Sequence, residues 1–455
     1  MDLVTSSPAP KTLPAAEPPR PQAQRRRRRQ RPQTEYLKAA LGQVTLRQVT
    51  LRQAAPSVLA VYGVLKLIGF LVFMWLLDTT GDYRSKAPRY GGGAHAWDVL
   101  STWDGWWYRQ IAEHGYHPQL VPVPGGSGHW SVEQNSAAFF PLYPGLIRAV
   151  SATTGLGSYG AGMTVSVVAS FAAALGIYAV ASGLAGHSVG LLAAALWAVW
   201  PGSGVEWSVY SDSLYIALAV WTCHFVLARR WLTAGAVCLV AGLSRPTAFT
   251  LIAALAAAAV PAALRDEDGR IAFRAADGRR RLPSLRWRPL AALVLAPLGL
   301  AGYLGWVGEQ TGDLKAYAIL ESDAWDHYFD FGRSTAHVVV AVLTGRGDYE
   351  SAAASEDLVG VGVLLLTGVL LVVLAQLRPP TVLAVYTVCT VVLAVGTHEI
   401  FGMMSRYLLP TFPLLLPAAM ALDRLKPPGR VAVLVLTALA SGSLTGYMLF
   451  EIGIP

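Results

Sequence analysis

Apolar runs long enough to cross a bilayer recur through most of this 455-residue chain, and they leave few folds open to it. The segment from Pro56 to Leu77 carries a single charge, Lys66. As a helix at about 1.5 Å per residue it reaches roughly 33 Å, enough to span the hydrocarbon layer. Charged residues are only 14% of the chain against 54% hydrophobic, and the mean hydropathy is +0.43. A soluble protein this long needs more polar surface, so the class is an all-α polytopic membrane protein. Cys223, Cys238 and Cys389 lie in apolar stretches without metal-ligand spacing. They read as small core hydrophobes, neither a disulfide framework nor a zinc site.

Further spans are expected over Gly160–Leu184, His187–Trp200, Val209–Ala228, Trp231–Ser244, Ala248–Leu264 and Leu290–Val307. Leu358–Leu377, Thr381–Val395, Tyr407–Leu422 and Val431–Phe450 follow, about eleven transmembrane helices in all. The formal charge of +8 is concentrated before them, in the run Arg25 to Arg29 with Arg31, inside a Pro/Gln/Ala-rich stretch. Residues 1–55 therefore read as a disordered basic cytoplasmic tail that touches anionic lipid and sets orientation, not as a nucleic-acid arm. The first apolar segment is too long for a cleavable signal and reads as a signal anchor. With that tail inside, the basic loop 265–288 is cytoplasmic, and residues 56–455 form one multispanning domain. Two long segments, 78–136 and 308–357, then face out, the first carrying interfacial helices. The trace closes only if Phe139 to Val150, with Pro141 and Pro144, is re-entrant or interfacial.

Several polar features fall on the outer side of this trace. They are Asp104, Glu206 with Ser211 and Asp212, Arg245 before Pro246, His398–Glu399, and Arg406 with Tyr407. Ionisable groups at membrane depth are costly, so their gathering points to a site. Each has a plainer reading. Ser101-Thr102-Trp103-Asp104 matches a helix-capping signature, and Trp103, Trp106, Trp107, Gln110 and Ile111 share one helical face that would lie toward lipid. Arg109 and Glu113 are spaced to pair on another face. Asp212 can begin a helix, Arg245 and Arg406 can snorkel, and Lys66 can snorkel or meet a polar interior. His95 with Asp98 is too loose for a metal site. No nucleotide-binding loop is present: Gly91-Gly92-Gly93 and Gly125-Gly126 are not set in βαβ units and read as flexible loop.

The order of motifs resembles the PIG-V mannosyltransferase family, which are type C glycosyltransferases and include the second mannosyltransferase of glycosylphosphatidylinositol assembly. The matching pieces are Trp103-Asp104-Gly105 with Ile111-Ala112 and Gly115-Tyr116, then Ala138-Phe139-Phe140-Pro141-Leu142-Tyr143-Pro144. Tyr210-Ser211-Asp212-Ser213-Leu214, Ser244-Arg245-Pro246 and Ser405-Arg406-Tyr407 complete the series. Asp212 stands where that family has Glu, and Thr102 where a basic residue is common. Richness in Ala, Gly and Arg suggests a bacterial member. The resemblance implies a type C fold and inverting transfer of mannose from polyprenyl-phosphate-mannose to a lipid or glycan acceptor, and the charge trace puts that transfer at the outer face of the plasma membrane. It implies Asp104 as general base, with Arg245 and Arg406 stabilising the departing lipid phosphate. Asp212, Tyr407, Trp103 and Trp107 would help hold substrate, the tryptophans by seating Asp104 at the depth of the phosphate. A divalent cation shared by Asp104 and Asp212 is left open and no metal ligand is assigned. Transfer of another sugar, and a lipid or glycolipid transporter, are the rival readings.

Overall fold

The computed structural model describes residues 50–125, 130–264, 286–345, 354–398 and 401–446. The Arg-rich run and residues 265–285 of the basic loop lie outside them, as does Glu399. In chain order the helices are α1 (Leu51–Thr80), α2 (Asp104–His114), α3 (Leu142–Thr154), α4 (Ser158–Ala185), α5 (His187–Ala198) and α6 (Asp212–Leu227). Then come α7 (Trp231–Gly242), α8 (Ala248–Ala263), α9 (Trp287–Leu295), α10 (Leu298–Thr311), α11 (Ala316–Ile319) and α12 (Arg333–Thr344). The last are α13 (Ala354–Leu377), α14 (Thr381–Gly396), α15 (Met404–Tyr407), α16 (Leu415–Leu422) and α17 (Pro427–Ser443). A small antiparallel pair joins Pro122–Pro124 to Trp130–Val132 in the first loop.

α1 starts five residues before the expected Pro56. Thr50 accepts from the Gln53 amide while the Gln53 side chain returns to the Thr50 amide, a capping box that fixes the start. Its end is set by Gly81, whose φ of 71° suits glycine and turns the chain into the first loop. Val58, Tyr62, Leu65, Phe73 and Leu77 are buried on one face, while Val64, Leu67, Leu71 and Trp75 are exposed on the other. A stripe of that size has no place in water, and it marks the lipid-facing side of the helix.

Among the described residues five helices are long and apolar enough to cross a membrane: Leu51–Thr80, Ser158–Ala185, Trp287–Thr311, Glu356–Leu377 and Pro427–Gly446. Six of the expected spans are shorter apolar helices of 10–17 residues. They are nonetheless core elements. α4 packs on α5 and α6, α6 on α7, α7 on α9, and α8 on α14. The break between α9 and α10 falls at Pro297, which has no amide hydrogen to donate. α3 has 13 residues, so it reaches only about 20 Å and is too short to cross.

One close helix crossing predicts its own test. α17 lies on α1 with glycine against glycine: a Cβ on Gly442 would stand 2.3 Å from the Gly69 carbonyl, and one on Gly446 would stand 2.7 Å from that of Phe73. Small residues one turn apart allow such backbone approach. Gly442→Ala is therefore expected to destabilise by about 1–3 kcal/mol, the scale of overpacking. Gly183→Ala, where nothing lies within 4 Å, is the neutral control. Both are read as melting in detergent, and equal melting of the two would overturn the crossing argument.

Candidate active site

The first loop is shaped so that Asp104 heads a helix. A 3-10 turn covers Ala96–Ser101, and Trp103 then takes φ 52°, ψ −120°, a rare conformation for a side-chain-bearing residue that breaks one helix from the next. Asp104 thus occupies the first turn of α2, where the dipole favours a carboxylate. The expected Ser101–Asp104 capping box does not form. Ser101 closes the preceding turn, its hydroxyl donating to the Asp98 carbonyl and accepting from Arg109. His95 and Asp98 form a capping box of their own.

α2 is laced to the chain before α6. The Val209 amide donates to Leu100 O at 2.8 Å, the Tyr210 hydroxyl donates to Thr102 O at 3.1 Å, and Tyr108 shares a 2.7 Å hydrogen bond with Ser211. Gly105 makes this contact feasible, since a Cβ there would sit 3.0 Å from the Val209 carbonyl. The same strapping delivers Asp212, the first residue of α6 and 2% exposed, to the neighbourhood of Asp104.

Two arginines close the group. Arg245, in the turn between α7 and α8, pairs through Nη1 with Asp212 Oδ1 and keeps 18% of its side chain exposed. Arg406, on α15, is 4% exposed. Its Nη2 bonds both Asp104 Oδ2 and Asp212 Oδ2, the latter at 3.1 Å, and its guanidinium lies 4.7 Å from the Tyr210 ring centre. Trp200 fixes the α15 backbone by donating to Ser405 O at 2.9 Å. Burial alone would pull the Arg245 pKa down, but the Asp212 carboxylate outweighs it and holds the guanidinium charged. Two carboxylates and two guanidiniums thus form one network of formal charge zero.

A cavity of about 280 Å³ opens beside this network. Asp104, Tyr108, Arg245 and Tyr407 line it, joined by Glu321 and Trp325 from the chain that follows α11. Asp212 and Arg406 stand behind the wall. Asp104 and Asp212 are joined through Arg406, the cation between them, and no set of three or more His, Cys, Asp or Glu is placed for a metal among the described residues.

Trp103, Trp106 and Trp107 are half-buried and make their ring contacts with protein side chains. Trp107 stacks on Phe139 with ring centres 5.5 Å apart, and the Arg89 guanidinium lies 4.6 Å from Trp107 and 5.0 Å from Trp106. Trp103 meets Tyr90 edge-on at 5.5 Å. α2 is held against α3 and α4 by Tyr108, Ile111 and Ala112, which leaves the indoles to pack on protein. Arg109 and Glu113 do not pair with each other but converge on Ser158. Glu206 also leaves the expected group: it is fully buried and binds Lys66 at 3.1 Å and the Tyr62 hydroxyl at 2.7 Å. His398 stacks on Tyr328 at 4.7 Å. Tyr108 is legible in the sequence, lying one helical turn after Asp104 on the same face. Glu321 and His327, which also line the cavity, carry no local signal.

No protein-family model and no curated protein sequence matches the chain. Among solved structures it is similar to ArnT from Cupriavidus metallidurans bound to undecaprenyl phosphate, at 13% identity over 82% of this chain and 62% of that one, with a TM-score of 0.46. It is also similar to the Archaeoglobus fulgidus oligosaccharyltransferase in the apo form, at 14% identity over 86% of this chain and 56% of that one, with a TM-score of 0.42. The chain therefore spans less than two thirds of the length of either.

Proposed function

We propose that the protein is a membrane glycosyltransferase that moves mannose from a polyprenyl-phosphate-mannose donor to a lipid-linked or glycan acceptor at the extracytoplasmic face. The observation that carries this reading is one cavity walled by both a helix-heading carboxylate, Asp104, and a partly exposed guanidinium, Arg245. Asp104 takes the acceptor hydroxyl proton as that oxygen attacks the anomeric carbon. The bond from that carbon to the phosphate oxygen breaks, its electron pair leaves with the lipid phosphate, and Arg245 meets the growing charge. Attack opposite the leaving group inverts the centre. Arg406 bridges Asp104 and Asp212 and so sets the direction of the base. Mannose as the sugar follows from the motif resemblance. The extracytoplasmic side follows from the basic residues before α1, with Asp104 lying beyond the far end of that helix.

The test is incubation of purified protein with labelled polyprenyl-phosphate-mannose and membrane lipids. Formation of a new α-mannoside is expected; movement of lipid between leaflets without new glycosidic bonds would instead establish the transporter reading. Arg245→Lys keeps a charge but loses the planar fork. It is expected to lower donor kcat/KM by about tenfold to a hundredfold, the range of one charge-assisted hydrogen bond. Unchanged donor kinetics would remove Arg245 from the mechanism.

A further inference from the structure

Between α10 and α12 the backbone departs from ordinary geometry where it meets the cavity. After α11 it widens into π-helical hydrogen bonding over Leu320–Ala324. Just beyond, Asp326 and Phe331 take φ of 56° and 62°. Such turns and left-handed residues persist only where their surroundings hold them, and they concentrate at functional sites. Here the hold is visible. The Asp330 amide donates to Gly396 O at 2.8 Å, the His398 amide to Tyr328 O at 2.9 Å, and Gln134 of the first loop to Ala324 O at 3.0 Å.

The effect is to bring Glu321 into the lining of the cavity that Asp104 and Arg245 also line. The Tyr317 hydroxyl donates to Glu321 Oε1 at 2.7 Å, and His327 Nδ1 lies 3.8 Å from Oε2. Glu321 retains 27% of its side-chain exposure. Trp325 belongs to the same lining, edge-on to Phe139 at 5.9 Å, and so does Tyr328. A carboxylate only accepts hydrogen bonds and can take them from two neighbouring hydroxyls, while indole and phenol rings cover apolar C–H surface. That pairing suits a polyol. It repels a phosphate, which is left to Arg245.

We infer that Glu321, with Trp325 and Tyr328, binds the acceptor, and that the acceptor presents a neutral sugar. This rests on the glycosyl-transfer reading above. The assay uses labelled polyprenyl-phosphate-mannose with octyl α-D-mannopyranoside as probe acceptor. Glu321→Gln is expected to raise the probe's KM by about tenfold or more with donor KM held within about twofold, as for loss of one charge-assisted hydrogen bond. Trp325→Ala, with its fold checked by melting, should move the same constant in the same direction. The inference is overturned if both variants fold and leave acceptor KM unchanged, or if the unaltered protein glycosylates a Ser/Thr peptide and ignores the sugar probe. Absence of any donor turnover by the unaltered protein, with sugar, peptide or membrane-lipid acceptors, overturns the transfer reading itself and this one with it.

Discussion

Asp104→Asn protein that folds is expected to transfer sugar about a hundredfold to ten-thousandfold more slowly, the span a positioned general base contributes. The substitution keeps the size of the side chain and its place in the first turn of α2. It removes the proposed proton acceptor and the charge that meets Arg406. Melting in detergent separates these effects, since the Arg406–Asp212 contacts at 3.1 and 3.4 Å remain. Asp104→Glu retains the charge but moves the carboxylate by about one C–C bond, and a loss of about a hundredfold follows from misplacement on that scale. The order wild type, then Glu, then Asn is thus the expected series. Near-normal transfer by folded Asn protein would reduce Asp104 to a helix-start residue.

The second large effect concerns stability and lies away from the cavity. Lys66, 2% exposed on α1, pairs with fully buried Glu206 and donates to Ser203 O, while the Tyr62 hydroxyl donates to Glu206. Glu206→Leu strands the ammonium in an apolar interior and is expected to cost about 3–5 kcal/mol. Lys66→Met should cost less, because burial already pushes the Glu206 carboxyl up to about 7 against the opposing pull of Lys66. Without Lys66 the carboxyl rises further and takes a proton while keeping its bond from Tyr62. A folded-state pKa above the unfolded value gives stability below the unfolded pKa that is lost as pH rises through the folded one. Lys66→Met protein should therefore melt higher at pH 6 than at pH 8. The double variant Lys66→Met, Glu206→Gln, which keeps an acceptor for Tyr62, should recover most of the loss. Equal melting of all three variants at both pH values would show the pair to be inert.

These residues also show what the sequence discloses. Apolar runs locate the helices because lipid demands long apolar surface, but they miss the ends by a few residues because caps such as Thr50–Gln53 precede the apolar run. Asp104, Asp212, Arg245 and Arg406 are visible as charges too costly to bury without cause, and the structure brings all four together. Glu206 is visible on the same grounds yet falls in the wrong group, since nothing local links it to a lysine on α1. Glu321 is invisible. Its placement depends on a π-turn and on contacts from the chain near Thr397, neither of which leaves a periodic trace.

The neutral network beside the cavity has a consequence for what the site refuses. Two aspartates cancel two arginines, and Glu321 brings a further carboxylate to the lining, so the cavity carries no excess positive charge. Soluble polyanions such as free phosphates gain no electrostatic enrichment there, because a lining without excess positive charge does not draw them in. On the proposed glycosyl-transfer reading a phosphate reaches the cavity because a long lipid chain dissolved in the surrounding bilayer brings it. On that reading charge cancellation acts as a sieve: it lets the membrane, rather than the surrounding solution, choose the donor.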